Sequence, residues 1–357
     1  MEGRVLIINI GSTSKKYALY SDKMLCTITL NNDLTGYYKS KQTTKLKINS
    51  KEYKYSINFI INFLVNSNLI KSKDEINKIV IRIVSPGIYF QKNRLIDKEF
   101  ISKLKIAKSM APLHISPTLE EIKLLKKEFP RTKLIAISDS AFHSTLPDVA
   151  KYYAIPKNHS DYLQIYRYGY HGISIKSVLE KIKGKLPDKI IICHLGGGSS
   201  ITAIKNGKSI DTSMGFTPLE GIPMGSRSGN LDPSIIIYLL KNISSNPNKL
   251  DILINQESGL LGLSQYSSSL KDLIKNSNFK SSKLAIDKFV YEIKKYIGSY
   301  YSILGDLDLL IFTGAIGYNS EKIRNLICKD LPYLNKVKII FIETNELEQM
   351  FKESNNI

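Results

Sequence analysis

At 357 residues, with 43% of them hydrophobic, the chain is longer than one core usually serves and has the composition of a globular protein. It carries 51 Lys and Arg against 32 Asp and Glu, a net charge of +19. The basic, tyrosine-containing stretch 39–54 is compatible with nucleic acid, but the lysines are scattered and no DNA- or RNA-reading motif accompanies them, which favours a solvated surface that collects small anions. No apolar run could span a membrane, no signal-peptide pattern precedes the first strand, and Cys26, Cys193 and Cys328 lack metal or disulfide spacing. The expectation is a soluble cytoplasmic protein with no membrane or nucleic-acid partner.

Residues 5–10, VLIINI, read as a buried strand. A Gly/Ser turn follows at 11–16, then a strand at 17–20, a turn at 21–23 and a third run from Met24. The pattern then predicts a helix over 57–68, a strand over 78–84, helices over 98–108 and 118–129, and a strand over 133–137. At 189–193 the opening order begins again: strand, the glycine turn of HLGGGSSITAIKNG (194–207), a strand over 200–205, and Asn206-Gly207, a hairpin signal. Glycines there let a backbone approach a phosphate and aim N–H groups at it, although hairpins also need glycine for steric reasons alone. Two copies that divide the chain into similar halves suggest two similar domains with a cleft between them, each offering one hairpin to a phosphate chain.

Farther on, Asp232-Pro233 caps a helix over 235–241, a long helix is expected over 285–304, and a strand over 307–312 runs into the glycine loop 313–317 and a helix over 319–327. Arg82 sits inside an apolar strand, where an unpaired arginine is costly, so it is expected to be paired or to face a cleft. Asp139 follows the 133–137 strand, Arg227 lies in the loop before the capped helix, and His114, His143, His171 and His194 fall in motif-like loops, whereas His159 lies in a plain polar stretch. Any one of these histidines could be structural. Two arginines, an acid and several histidines around two phosphate-like turns are harder to explain in that way.

These residues also carry a resemblance. The stretches VLIINIGSTSKKYALY (5–20), APLHISP (111–117), ISDSAFHSTLP (137–147), YRYGYHGIS (166–174), the run 191–233, ESGLLGLS (257–264), VYEIKKYIGSYY (290–301), IFTGAIGYNSEKIR (311–324) and ETNEL (343–347) resemble the acetate kinases, in the superfamily of acetate and sugar kinases, heat-shock chaperones and actin. The resemblance spans almost the whole chain in the family's order. It implies an α/β, duplicated actin-like (ribonuclease H-like) two-domain fold with an ATP cleft between the domains. The N-terminal domain would cover 1–147, the C-terminal domain 148–344, and a last helix at about 345–357 would pack back on the first. It further implies reversible phosphorylation of a short-chain carboxylate by ATP with Mg²⁺, or Mn²⁺, in a homodimer.

Carried over by position, His171, Arg227, Asp139 and Arg82 would be catalytic. The arginines would hold the carboxylate and the equatorial oxygens, His171 would donate to the transferring phosphoryl, and Asp139 would orient the cation's waters or an arginine. Arg82, Val84, Leu113, Tyr170 and Pro218 would line the substrate site. ATP would meet Ser12, Ser14, Lys16, His194, Gly196, Gly197, Gly198, Gly314, Ala315, Gly317 and Asn319, and Asn9 and Glu346 would lie near the metal. The chemistry suits these residues, because a carboxylate is already ionised at neutral pH and needs charge cancellation rather than a base.

The chain departs from the family's pattern at several neighbours. Arg82 is flanked by Ile81 and Ser85-Pro86-Gly87 where the family has histidines and glycines, and Gly197 stands for an asparagine, as in the butyrate kinases. Tyr170 stands for phenylalanine, which would put a hydroxyl at the acyl site; Ile175, Asn230 and Tyr318 replace a histidine, an aspartate and a glutamate. Two alternatives stay open: a propionate or butyrate kinase, which Gly197 favours, and a nucleotide-binding protein that has lost turnover, against which the five charged and polar positions Arg82, Asp139, His171, Arg227 and Glu346 argue.

Overall fold

The computed structural model describes residues 3–11 and 14–357, with Leu113 and His114 described by backbone alone. The chain divides into two compact units, Met1–Ala141 with Asn345–Ile357, and Phe142–Thr344.

In the first unit the strands are β1 (Arg4–Ile10), β2 (Ser14–Tyr20), β3 (Met24–Asn31), β4 (Thr35–Lys39), β5 (Thr43–Lys47), β6 (Ile76–Ile83), β7 (Arg94–Leu95) and β8 (Lys133–Ser138), paired in the order β5-β4-β3-β2-β1-β6-β8-β7. In the second, β9 (Lys189–Leu195), β10 (Ser199–Lys205), β11 (Lys208–Thr212), β12 (Leu309–Thr313) and β13 (Lys338–Phe341) pair in the order β11-β10-β9-β12-β13. The ladder β3-β2-β1-β6-β8 repeats as β11-β10-β9-β12-β13, antiparallel through the three hairpin strands and parallel through the last two. The duplication read in the sequence is therefore a duplication of sheet topology, the actin-like arrangement.

Helices cover the sheets, which is why β1 and β9 are near-continuous apolar runs rather than alternating ones. In the first unit Ile57, Ile60 and Leu64 of the helix Ser56–Asn66, and Phe100 and Leu104 of Lys98–Ala107, are buried against Leu6, Ile8, Ile79 and Ile81. Each such side chain contributes roughly 1.5–3 kcal/mol. On the other face the helix Glu346–Ser354 packs across β1, β6 and β8, with Phe351 stacked on Tyr20 at 4.3 Å. In the second unit the helix Lys280–Leu304 buries Phe289, Ile293 and Ile297 against Ile191 and Ile201.

Several expectations change. The second strand begins at Ser14, three residues early, because Lys15 and Lys16 already pair with Ile10 and Asn9. The β4–β5 hairpin was not expected; its outer strand is mostly exposed and lacks the apolar alternation that marks a strand. The 118–129 helix starts at Pro112, a favourable first-turn proline, and continues through Pro117, so His114 is on a helix and not in a loop. Residues 314–317 form the helix Gly314–Asn319 rather than a loop. His194 is on β9, also not in a loop. Among the described residues no helix is long and apolar enough to cross a membrane.

Candidate active site

Asn9, Arg82 and Asp139 in the first sheet, and His194, Gly196–Gly198 and Gly314 in the second, lie at the carboxyl ends of strands, where open α/β sheets bind ligands. In the first unit Asn9 and Arg82 each lie one residue from the end of their strands, β1 and β6, and Asp139 follows β8, its N–H bonded to the Ile83 carbonyl at 2.9 Å. Arg82 Nη2 donates to Asp139 Oδ2 at 2.8 Å and Nη1 to Asn9 Oδ1 at 3.2 Å, and Asn9 Nδ2 donates to Glu346 Oε2 at 2.7 Å. The Arg82 and Asp139 side chains are 13% and 1% exposed, so the pair is held away from water. Burial opposes the guanidinium's charge, but Asp139 and then Glu346 outweigh it and hold the group above its ordinary value. Arg82 Nε is buried without a hydrogen-bond partner among the described residues. A buried donor left unmatched costs about 1–3 kcal/mol, so this edge of the arginine is poised for an acceptor.

Asn9, Arg82, Asp139 and Glu346 thus form one cluster. Ser12 lies outside the described residues, as does the side chain of Leu113. Ser14 is half-buried and Lys16 exposed on β2, Lys16 directly opposite Asn9 in register. Lys15 turns the other way and donates to the Tyr53 carbonyl and the Ser56 hydroxyl at 3.0 and 2.9 Å. Val84, just beyond β6, is half-buried.

In the second unit the histidines form the centre. His171 precedes the helix Gly172–Leu179 in the left-handed region, with φ 62°, an uncommon backbone state for a side-chain-bearing residue and one that clusters at functional sites. Its ring stacks on His194 with centroids 4.2 Å apart. Ser200 Oγ lies 3.0 Å from His171 Nδ1, and Ser174 Oγ 2.7 Å from His194 Nδ1. A Cβ placed on Gly198 would stand 3.1 Å from His171 Nε2 and 3.5 Å from Arg227 Nη1. Both side chains therefore converge above the glycine turn.

Arg227 Nη1 also donates to the Pro218 carbonyl at 3.3 Å, and its loop is pinned by Met224 N to Arg227 O, Leu260 N to Met224 O and Leu261 N to Gly225 O at 2.9 Å each. Gly196 is buried, Gly197 exposed and Gly198 half-buried. Gly314 follows β12, whose Thr313 is opposite His194 in register, and its φ of +76° with a Cβ position 2.5 Å from the Leu195 carbonyl admits no side chain. Ala315 N lies 3.8 Å from a Cβ position on Gly196, which puts the Gly314–Asn319 helix beside the turn. Gly317 is buried within it, and the exposed Asn319 donates back to the Ala315 carbonyl at 2.9 Å. Tyr170 is buried and gives its hydroxyl proton to the Phe216 carbonyl at 2.7 Å.

Ser174 and Ser200, which engage the histidine rings, were not singled out from the sequence. Hairpin register was the available signal for Ser200, which stands opposite His194, and a three-residue helical step from His171 was the signal for Ser174. Asn230, in place of an aspartate, donates to the Tyr296 hydroxyl at 2.8 Å and accepts from Gly221 N at 2.9 Å, a pairing that uses both ends of an amide. Ile175 is fully buried among Val178, Ile190 and Ile192, where a histidine would lack water.

A duplicated actin-like fold that gathers arginines and histidines beside glycine turns suits a phosphotransferase. Residues 4–350 match the model of the acetokinase family, and the chain belongs to that family. It is 37% identical to the acetate kinase of Thermoanaerobacterium thermosaccharolyticum over 395 aligned positions, covering 99% of this chain and 98% of that protein. Among solved structures it is similar to a propionate kinase from Francisella tularensis (33% identity, TM-score 0.91, covering 99% of this chain and 100% of that one). It is also similar to the acetate kinase of Porphyromonas gingivalis (31% identity, TM-score 0.85, covering 99% of each chain).

Proposed function

We propose that this chain is an acetate kinase that passes the γ-phosphoryl group of ATP directly to acetate, giving acetyl phosphate and ADP, and runs the reverse reaction. Full-length similarity to acetate kinases supports the substrate, and the observation that carries the chemistry is the convergence of His171 Nε2 and Arg227 Nη1 above Gly198. Acetate is ionised at neutral pH, so no general base is needed. The barrier is the approach of one anion to another, and preorganised donors lower it.

Both clusters act on this one transfer. Arg227 and Arg82 neutralise the carboxylate and the equatorial phosphoryl oxygens, the latter with its unmatched Nε–H and the second hydrogens of its terminal nitrogens. Ser200 Oγ, 3.0 Å from His171 Nδ1, suits the tautomer that carries its proton on Nε2, where it can donate to the phosphoryl group. Asp139 keeps Arg82 charged and oriented. The backbone of 196–198 and of 314–317 receives the nucleotide, with His194 and Asn319 beside it; Ser14 and Lys16 are assigned to its phosphates, and Val84, Tyr170 and Pro218 to the acyl group.

Asn9, Asp139 and Glu346 present hard oxygen atoms, the donor set that suits a hydrated Mg²⁺ or Mn²⁺ resting on nucleotide phosphates, and such an ion would be held by Asn9 and Glu346. When bound it would neutralise phosphate charge. The chain forms a homodimer. Support for this comes from the helix Pro233–Asn242, which buries none of its residues and exposes Ile235, Ile237 and Tyr238 at 42, 55 and 66%, beside exposed Leu231, Ile243 and Ile252.

The similarity to a propionate kinase and the presence of Gly197 give a longer acid as the second reading. The test is ATP- and Mg²⁺-dependent acyl phosphate formation, trapped with hydroxylamine, from formate, acetate, propionate and butyrate in parallel. A maximum at acetate is expected. A maximum at a longer acid would replace acetate, and no product from any acid would end the kinase reading.

A further inference from the structure

The segment 213–221 joins β11 to the loop of Arg227, and its Pro218 carbonyl holds Arg227 Nη1. It has no helix or strand of its own, so something else must fix its shape. Arg167, four residues before His171, donates through Nη2 to Glu220 Oε1 at 2.6 Å and through Nη1 to the Thr212 carbonyl at 2.9 Å. The Tyr153 hydroxyl donates to the other carboxylate oxygen of Glu220 and accepts from Phe216 N at 2.8 Å. The Phe216 carbonyl then receives the Tyr170 hydroxyl. Arg167 and Glu220 are 18% and 26% exposed, and Asp211 lies 3.9 Å from Arg167 Nε as a second acid.

A Cβ on Gly215 would fall 1.6 Å from Glu220 Oε2 and 2.0 Å from the Tyr153 hydroxyl. The pair therefore occupies the space a side chain at 215 would need.

We propose that Tyr153, Arg167 and Glu220 form a clamp that positions the segment 213–221, and through it Arg227 and Tyr170, for the carboxylate substrate. The proposal rests on the reading that this segment serves the carboxylate site. The three residues touch no reacting atom; they are positioning residues. They tie the stretch that carries His171 to the stretch whose carbonyl orients Arg227, so loosening the clamp misplaces the acceptor and leaves the nucleotide turns 196–198 and 314–317 alone.

The test measures Glu220→Gln, Gly215→Ala and their double variant beside the parent protein, with hydroxamate kinetics and with hydrogen–deuterium exchange of peptides covering 213–221. Each single variant is expected to raise the KM for acetate about 10-fold and lower kcat, since misplacement on the ångström scale costs up to about 100-fold, with the KM for ATP within about twofold of the parent. The double variant is expected to be no worse than the poorer single one, because both changes break the same contact. Additive effects, or an equal rise in the KM for ATP, would overturn the clamp. Tyr153→Phe removes a single hydroxyl and serves if Glu220→Gln does not fold: its Phe216 amide should exchange faster, and unchanged protection would overturn the proposal. If the parent protein makes no acyl phosphate, the kinase reading fails by itself, and faster exchange of 213–221 in the variants still decides the clamp.

Discussion

Arg82 shows why a charged residue inside an apolar strand could be picked out before any fold was known. Burying a guanidinium is tolerable only with partners, and the partners, Asn9 and Asp139, lie at the ends of the neighbouring strands. Residues at strand ends were legible in this way because a change from apolar to polar marks the end in sequence. The serines that hold His171 and His194 were not, since serine is common and its role here depends on cross-strand register and helical phase. Tyr170 was legible as a departure, but not the use of its hydroxyl, which is spent on the Phe216 carbonyl. Tyr170→Phe should leave that acceptor unmatched, lowering stability by about 1–2 kcal/mol in urea denaturation while the KM for ATP stays unchanged; an unshifted midpoint would contradict the bond.

Among the elements, the hairpin strands and long helices were readable from periodicity, whereas the β4–β5 hairpin and the first turns of Pro112–Glu128 were not. An exposed edge strand shows no alternation, and prolines at 112 and 117 read as a loop although the first suits a helix start. That helix carries Glu121, buried 4.0 Å from Lys15 on β2. Burial raises the Glu121 carboxyl above its usual value, with Lys15 partly offsetting it. A carboxyl raised in the folded state binds its proton more tightly there than in the unfolded chain. Its contribution is present below the unfolded value and lost as pH rises through the folded one. Glu121→Gln, which mimics the protonated form, should therefore gain stability relative to the parent between pH 4 and pH 7, read from urea midpoints at both; a constant difference would show that Glu121 keeps its ordinary value.

At the scale of the whole molecule the repeated order strand, turn, strand announced a duplication, and the sheets repeat it strand for strand. Family membership spans 4–350, so drift at Gly197, Asn230 and Ile175 is local rather than a loss of architecture. What the linear pattern could not announce is an exposed apolar face, because Ile235–Leu240 reads equally well as a core helix. Replacing Ile237 with aspartate should convert a homodimer into a monomer by light scattering; a dimer unaffected by the change would place the interface elsewhere.

The proposed reaction assigns the Arg82 cluster and the Arg227–His171 cluster to one phosphoryl transfer. The decisive measurement is acetyl phosphate formation by Arg82→Ala and Arg227→Ala, each checked for folding by circular dichroism, with Arg82→Lys added because alanine removes the guanidinium that pairs with the buried Asp139. Loss of either preorganised donor should lower kcat by about 100-fold or more. Near-parental turnover in a folded Arg82→Ala or Arg227→Ala would show that the arginine replaced takes no part in the transfer.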